Sequence, residues 1–271
     1  AGLIERIERI MEIDNIYNMD CLEGMRQMEA ESVDLTVTSP PYDNLRTYNG
    51  YCFDFENIAR ELYRVTKQGG VVVWVVGDAT IDGSETGTSF RQALFFQEIG
   101  FNLFDTMIYV RHKGASGNNK TYWQGFEYMF VMSKGEPKSI NLICDVHRES
   151  FKNKMCSDRQ KDGTLKRRFI SMEDKDSRRT NVWYYATGNN QSSKDKIAFE
   201  HPAIFPEQLA ADHIKSWSNE GDIVLDPFMG SGTTAIVARS LFRHYIGFEI
   251  SDKYMEIINN RMEQTKTIFD L

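Results

Sequence analysis

Two short stretches of this chain hold the residue types from which a ligand site can be built. The first is Asp226-Pro227-Phe228-Met229-Gly230-Ser231-Gly232-Thr233-Thr234, which follows the apolar run Ile223-Val224-Leu225 and precedes Ala235-Ile236-Val237-Ala238. That order predicts a buried strand turning directly into a helix. Gly230 and Gly232 permit positive φ and a close approach of ligand to backbone, and Thr233 or Thr234 is placed to satisfy the free amides that open the helix. Asp226, at the carboxyl end of the strand, predicts an acceptor aimed into the crevice where open α/β sheets bind ligands. The segment lacks the G-x-G-x-x-G spacing of a dinucleotide site and the Lys that closes a P-loop, which argues against a pyrophosphate or triphosphate. Carboxylates here suit a cationic or hydroxyl-bearing ligand.

The second stretch lies far upstream. Val33 to Thr38 is a β-branched strand that runs straight into Ser39-Pro40-Pro41-Tyr42. Two consecutive prolines forbid continuation of strand or helix and hold the backbone extended, with its carbonyls unbonded. A hydroxyl, a carbonyl and an aromatic ring within four residues can hold a flat, amino-bearing ring, with two acceptors for the amino hydrogens and one face for stacking.

The elements that must position these stretches read as an alternation of strands and helices. Leu3 to Met11 has helical apolar spacing, Ile13 to Met19 is a short strand ending at Asp20-Cys21, and a helix covers Glu23 to Met28. On its residues alone, Asp20 reads as an N-cap. Asp54 to Thr66 is an amphipathic helix stopped by Gln68-Gly69-Gly70, and Val71 to Val76 is an apolar run suited to a strand covered on both faces. A polar, glycine-rich loop is expected from Gly77 to Thr88, a helix over Ser89 to Ile99, strands over Phe101 to Val110 and Tyr128 to Met132, and a polar loop between them. Towards the end, Glu207 to Trp217 reads as a helix, His244 to Phe248 as a strand closed by Glu249, and Asp252 to Gln264 as a helix. Glu249, closing the next strand after the glycine turn, sits where two ribose hydroxyls would need an acceptor.

Charge is uneven along the 271 residues, whose net charge is −7. From Lys134 to Lys196 there are 15 Lys and Arg against 9 Asp and Glu, a balance of +6 that leaves −13 for the remainder. This interval lacks sustained periodicity, and Lys166-Arg167-Arg168 and Arg178-Arg179 are interleaved with Phe169, Trp183, Tyr184 and Tyr185, a mixture suited to phosphates and bases. A basic insert on an acidic body predicts localised contact with nucleic acid. Cys21, Cys52, Cys144 and Cys156 form no C-x-x-C pair and have no His partners at metal-ligand spacing, so reduced thiols and no metal site are expected. With no membrane-length apolar run and no signal-peptide profile, the residues predict a cytoplasmic protein without membrane contact.

Taken together, Thr-Ser-Pro-Pro-Tyr at Thr38 to Tyr42 and Asp-Pro-Phe-Met-Gly-Ser-Gly-Thr-Thr at Asp226 to Thr234 resemble the S-adenosylmethionine-dependent DNA amino-methyltransferases, which act on N4 of cytosine or N6 of adenine. The catalytic motif precedes the cofactor motif, which is the order of the permuted β-class. The resemblance runs from Asp20 to about Arg261. It implies an α/β, Rossmann-like, circularly permuted fold with a mixed, mostly parallel seven-stranded sheet, helices on both faces and a small basic insert. It divides the chain into a catalytic half (1–133), a target-recognition insert (134–199) and a cofactor-binding half (200–271).

The resemblance also implies roles. Ser39, Pro40, Pro41 and Tyr42 would be catalytic. Asp226, Pro227, Phe228, Gly230, Ser231, Gly232 and Thr233 would form the floor under S-adenosyl-L-methionine, Glu249 would bind its ribose, and Asp20 with Cys21 would meet its adenine. His201-Pro202-Ala203-Ile204-Phe205-Pro206 is similar to a family element that lies against the methionine portion, which assigns His201 and Phe205 there. Lys166, Arg167, Arg168, Arg178 and Arg179 would contact DNA. A homodimer and a cognate restriction endonuclease acting on the same sites are further partners the resemblance admits. In the family, Ser before Pro-Pro-Tyr is commoner among N4-cytosine enzymes and Asp or Asn among N6-adenine enzymes, so Ser39 leans towards cytosine, with adenine as the alternative.

Overall fold

A computed structural model of the chain describes residues 11–41, 53–115, 122–146, 154–170, 177–186 and 205–269. It divides into two compact units, Ala1–Asn141 with Asn181–Leu271, and Leu142–Thr180. The expected helix at Leu3 to Met11 lies almost wholly outside the described residues.

In the larger unit the chain runs β1 (Asn15–Asn18), α1 (Cys21–Gln27), β2 (Val33–Thr38), α2 (Phe55–Val65), β3 (Thr66–Val76), the short pair β4 (Thr80–Ile81) and β5 (Ser84–Glu85), α3 (Thr88–Glu98), β6 (Asn102–Ala115) and β7 (Gln124–Ser133). The smaller unit holds β8 (Cys144–Val146), β9 (Lys154–Arg159), β10 (Leu165–Ile170) and β11 (Ser177–Arg178). The chain then returns with β12 (Val182–Tyr185), α4 (Glu207–Trp217), β13 (Ile223–Asp226), α5 (Thr233–Ser240), β14 (His244–Glu249) and α6 (Asp252–Phe269).

One sheet organises the larger unit, in the order β1-β14-β13-β2-β3-β7-β6-β12. Every neighbouring pair is parallel except the two that involve β7. The sheet thus has eight strands where seven are expected, and the addition is β12. Its four residues alternate, so Trp183 and Tyr185 are buried while Tyr184 stays 66 % exposed. Tyr185 donates its hydroxyl to Asp212 Oδ2 at 2.7 Å, and Trp183 lies 4.7 Å from the His213 ring on α4. Two of the aromatics that the sequence groups with the basic residues are therefore sheet packing.

Helices cover both faces because the central strands are apolar on both. Val72, Trp74 and Val76 pack into a core with Met25 of α1, Ile58 and Leu62 of α2 and Phe96 of α3, while the alternate Val71, Val73 and Val75 are equally buried. β3 starts at Thr66 and carries Gly69-Gly70 within it, whereas the sequence places those glycines in the stop between helix and strand. Gly69 donates to the Lys134 carbonyl at 2.7 Å, which keeps them in the sheet. The glycine-rich stretch after β3 is tied down by Asp78, which accepts from the Ser89 amide at 2.9 Å.

The topology locates a crevice. From β2 the chain crosses through α2 to β3 on one side, and from β13 it crosses through α5 to β14 on the other. Since β2 and β13 are adjacent and parallel, the carboxyl ends of these two strands flank the switch point of the sheet, where open α/β sheets take ligands. Thr38 ends one strand and Asp226 the other.

Candidate active site

Thr36 of β2 is paired with Leu225 of β13, which brings the two sequence motifs to the same edge. Thr38 donates its hydroxyl to Asp226 Oδ1 at 2.6 Å, the Phe228 amide donates to the same oxygen at 3.0 Å, and Thr234 donates its hydroxyl to Oδ2 at 2.7 Å. The sequence predicts an Asp226 acceptor facing the crevice. The carboxylate is instead 5 % exposed and committed to three internal donors. A buried charge needs such partners, and the end of β2, the turn and the start of α5 supply one each. Burial pushes the Asp226 carboxyl above the usual range, and the bonds from Thr38, Thr234 and Phe228 pull it back.

The turn that follows is held at nearly every peptide. Met229 donates to the Phe248 carbonyl at 2.9 Å, Gly230 to Glu249 Oε2 at 2.8 Å, and Gly232 to the Met229 carbonyl at 2.9 Å. Gly230 and Gly232 have φ of 56° and 82°, the left-handed region that makes glycine the residue of choice. A Cβ on Gly232 would also come within 3.3 Å of Ile258. Thr233 and Thr234 do not cap α5 as expected: its N-cap is Gly232, without a side-chain bond, and the Thr234 hydroxyl is turned to Asp226. Pro227 is buried, and Phe228 is half-buried, edge-on to Phe53 at 5.7 Å and Trp74 at 6.2 Å.

Glu249 closes β14 beside this turn. Its Oε2 accepts from Gly230 and its Oε1 from the Ser251 amide at 2.8 Å. Burial raises its carboxyl above the usual range, partly offset by these backbone donors. Its donors, with Ile250 a third, are all backbone amides, whereas Asp226 takes two side-chain hydroxyls. Asp20 is the N-cap of α1, with Oδ1 accepting from Leu22 at 2.9 Å and Glu23 at 3.1 Å, while Oδ2 takes no donor among the described residues. The adjoining Cys21 thiol is pushed up to about 12, first by burial and then by the Asp20 carboxylate, so it stays protonated.

Ser39 and Pro41 are half-buried and Pro40 is buried, directly after Thr38. Tyr42 and His201 lie outside the described residues; Phe205 is half-buried just ahead of α4. Three participants escaped the sequence reading. Thr38 and Thr234 are bonded to Asp226, and Arg261 of α6 donates to the Ser231 carbonyl and, at 2.9 Å, to Glu207 Oε1. The two threonines lie inside the motifs themselves; nothing in the polar helix around Arg261 marks it.

The smaller unit presents the basic residues. In the β9–β10 hairpin, Leu165 faces Arg159, Arg167 faces Ser157 and Phe169 faces Met155, so these six share one side, with Lys166 and Arg168 on the other. Arg168 is paired with Asp158 at 2.7 Å and Arg179 with Asp145 at 2.8 Å, and the Arg179 bond holds the Asp145 carboxyl below its usual range. Lys166 and Arg167 have no side-chain partner among the described residues, and Arg178 is exposed.

Comparison with known proteins identifies the family. The DNA methylase family matches residues 33–260. The chain belongs to that family. It is 57 % identical over 236 residues to the orphan methyltransferase M.BamHII of Bacillus amyloliquefaciens, covering 86 % of this chain and 89 % of that one. The type II methyltransferase M.BglII of Bacillus subtilis is 29 % identical over 254 residues, covering 90 % of this chain and 68 % of that relative. Among solved structures, the cytosine-N4-specific PvuII DNA methyltransferase superposes with a TM-score of 0.67 at 20 % identity, over 96 % of this chain and 93 % of that one. The complex of M1.HpyAVI with SAM superposes at 0.58 and 22 % identity, over 91 % and 98 %.

This DNA methyltransferase is thus of the N4-cytosine or N6-adenine type and uses S-adenosyl-L-methionine. The residues at the edge fit that cofactor. A ribose needs an acceptor such as the Glu249 carboxylate, an adenine amino group one such as Asp20 Oδ2, and a sulfonium cation suits an aromatic ring such as that of Phe228. No helix among the described residues is long and apolar enough to cross a membrane.

Proposed function

We propose that this methyltransferase modifies the exocyclic N4 amino group of cytosine in a base turned out of the DNA stack. The 2.6 Å bond between Thr38 and Asp226 carries this reading, because it holds Ser39-Pro40 and the glycine turn at one crevice. An exocyclic amine on an aromatic ring is a poor nucleophile, since its lone pair is delocalised into the ring. The Ser39 hydroxyl and the Pro40 carbonyl accept its two hydrogens, favour a tetrahedral nitrogen and localise the lone pair. Tyr42 stacks on the base. The bound cofactor supplies an electrophilic methyl group; the protein contributes orientation and electrostatics, without a covalent enzyme intermediate. The base must leave the duplex for its amino group to reach this edge. Ser39, rather than Asp or Asn, favours cytosine.

Under the same reading, Glu249 accepts from the ribose hydroxyls, Asp20 Oδ2 from the adenine amino group, and Phe205 and His201 flank the methionine end. The glycine turn forms the floor, with Asp226 shaping it from below. Residues 134–199 supply target recognition, and within them Lys166, Arg167 and Arg178 are better placed for phosphates than Arg168 and Arg179, whose charges are already paired.

Random-sequence DNA treated with the enzyme and S-adenosyl-L-methionine, then digested to nucleosides for mass spectrometry, is expected to yield N4-methylcytosine. N6-methyladenine in its place would reassign the base. Ser39→Ala and Tyr42→Ala are expected to lose methyl transfer while retaining cofactor binding. Undiminished transfer in both would sink the mechanism.

A further inference from the structure

We infer that Arg261 is a positioning residue of the cofactor site, a buried clamp that holds the glycine turn against the start of α4. The inference rests on the reading of the glycine turn as the cofactor floor.

The Arg261 side chain is 1 % exposed. A guanidinium removed from water must find acceptors, and two of the places where this one finds them bear on the site. One nitrogen, Nη1, donates to the Ser231 carbonyl and lies 3.2 Å from Ser231 Oγ and 3.3 Å from Thr233 Oγ1. The other, Nη2, donates to Glu207 Oε1 at 2.9 Å. Glu207 is the first residue of α4, two positions after Phe205. One rigid, planar group therefore spans the turn and the helix that follows the second cofactor element.

The bond to Ser231 completes the hold on the turn. The peptide joining Ser231 to Gly232 is gripped at both ends, its N–H by the Met229 carbonyl and its C=O by Arg261. Gly232 leaves this peptide freer to rotate than a residue with a Cβ would, so the hold on its carbonyl adds to the one bond made within the turn. Asp226 holds the turn from the strand below, Glu249 from the neighbouring strand, and Arg261 from α6. Removing the third hold leaves the strands in place and lets the peptide reorient, which weakens a preorganised surface without touching the ligand.

The test compares wild type with Arg261→Gln, Arg261→Lys and the double variant Arg261→Gln/Glu207→Gln. Binding of S-adenosyl-L-methionine is followed by calorimetry, thermal melting by circular dichroism, and methylation by KM for the cofactor and kcat. The expected result is about tenfold weaker cofactor binding in Arg261→Gln, on the scale of one lost charge-assisted bond, with KM for the cofactor rising more than kcat falls. Lys keeps the charge but reaches only one of the two partners, so Arg261→Lys recovers part of the affinity. The double variant leaves no orphaned carboxylate, which guards against a mutant that fails to fold. Wild-type cofactor affinity in a folded Arg261→Gln or double variant overturns the clamp, as does a loss of kcat with KM unchanged. Wild type that binds no cofactor, or in which Glu249→Ala leaves binding intact, would instead fault the site reading beneath it.

Discussion

Asp226 at the sheet edge is 5 % exposed and takes three donors, whereas in the smaller unit Arg168 pairs with Asp158 while their side chains stay 62 % and 49 % exposed. Both are charged groups with partners, yet they do different work. Inside the sheet, each bond is made where water cannot substitute for it, so the network fixes the shape of the turn. On the hairpin, water and salt compete with every pair, so the charges contribute little to stability. The methyl donor calls for a preformed surface.

The largest effect expected from breaking this contrast is at Asp226. Asp226→Ala would strand the Thr38 hydroxyl and the Phe228 amide, while Thr234 keeps the Val37 carbonyl at 3.3 Å, and at about 1–3 kcal/mol for each unsatisfied group the loss should reach at least ~2 kcal/mol. Urea denaturation would measure it, and a change below 1 kcal/mol would mean that the network is not what shapes the turn.

A second test uses His213, fully buried beneath β12. Trp217 donates its indole N–H to His213 Nδ1 at 3.3 Å, and burial drops the imidazole from 6.5 to about 3, with the Asp212 carboxylate opposing. The unfolded chain binds this proton below pH 6.5 and the folded chain does not until about 3. Stability from this group is therefore full above pH 6.5 and lost as the pH falls towards 3, about 2 kcal/mol by pH 5 at ~1.4 kcal/mol per unit. Asp226 and Glu249 act with the opposite sign. Their raised folded values mean that ionisation costs stability as the pH rises through them, so the His213 contribution is best read as the difference between wild type and His213→Gln. Parallel profiles for the two proteins would remove His213 from the account.

On the hairpin the effects should be smaller and dependent on salt. Arg167→Ala is expected to weaken DNA binding by about 1 kcal/mol and to reduce the slope of log affinity against log salt by about one unit, measured by titration at several ionic strengths. An unchanged slope would take Arg167 off the phosphate path. Arg168→Ala should alter stability by less than about 0.5 kcal/mol and DNA affinity less than Arg167→Ala does, because it removes a cation already neutralised by Asp158. A larger effect at Arg168 than at Arg167 would mean that pairing with Asp158 does not keep Arg168 from the phosphates.

How much was legible follows from where each signal resides. The helix Glu207–Trp217 and the strand His244–Glu249 stand where their own residues place them, because periodicity and flanking turns are local. β12 was hidden: Val-Trp-Tyr-Tyr is four residues long, lies beside a basic stretch, and becomes a strand only through pairing with β6, as Trp183 sits opposite Tyr109. The pairing of the hairpin charges was likewise invisible, since Arg168 and Asp158 meet only once β9 and β10 are in register.

What the sequence by itself determined is the chemistry at hand: a hydroxyl before paired prolines and an aromatic ring after them, a glycine turn between strand and helix, and an acid closing the next strand. Each is a property of residues close in the chain, where φ restriction, β-propensity and capping act directly. What only the tertiary structure decided is the division of labour among the acids. Asp226 and Glu249 look alike in sequence, each ending a strand beside the same turn. Folding places Thr38, 188 residues away, on Asp226 and spends that carboxylate on the frame between distant segments, while Glu249 is met only by backbone amides of its own strand end and of the glycine turn. Arg261 becomes part of the site for the same reason, since burial, which no local pattern records, sends its guanidinium to the carbonyl of the turn.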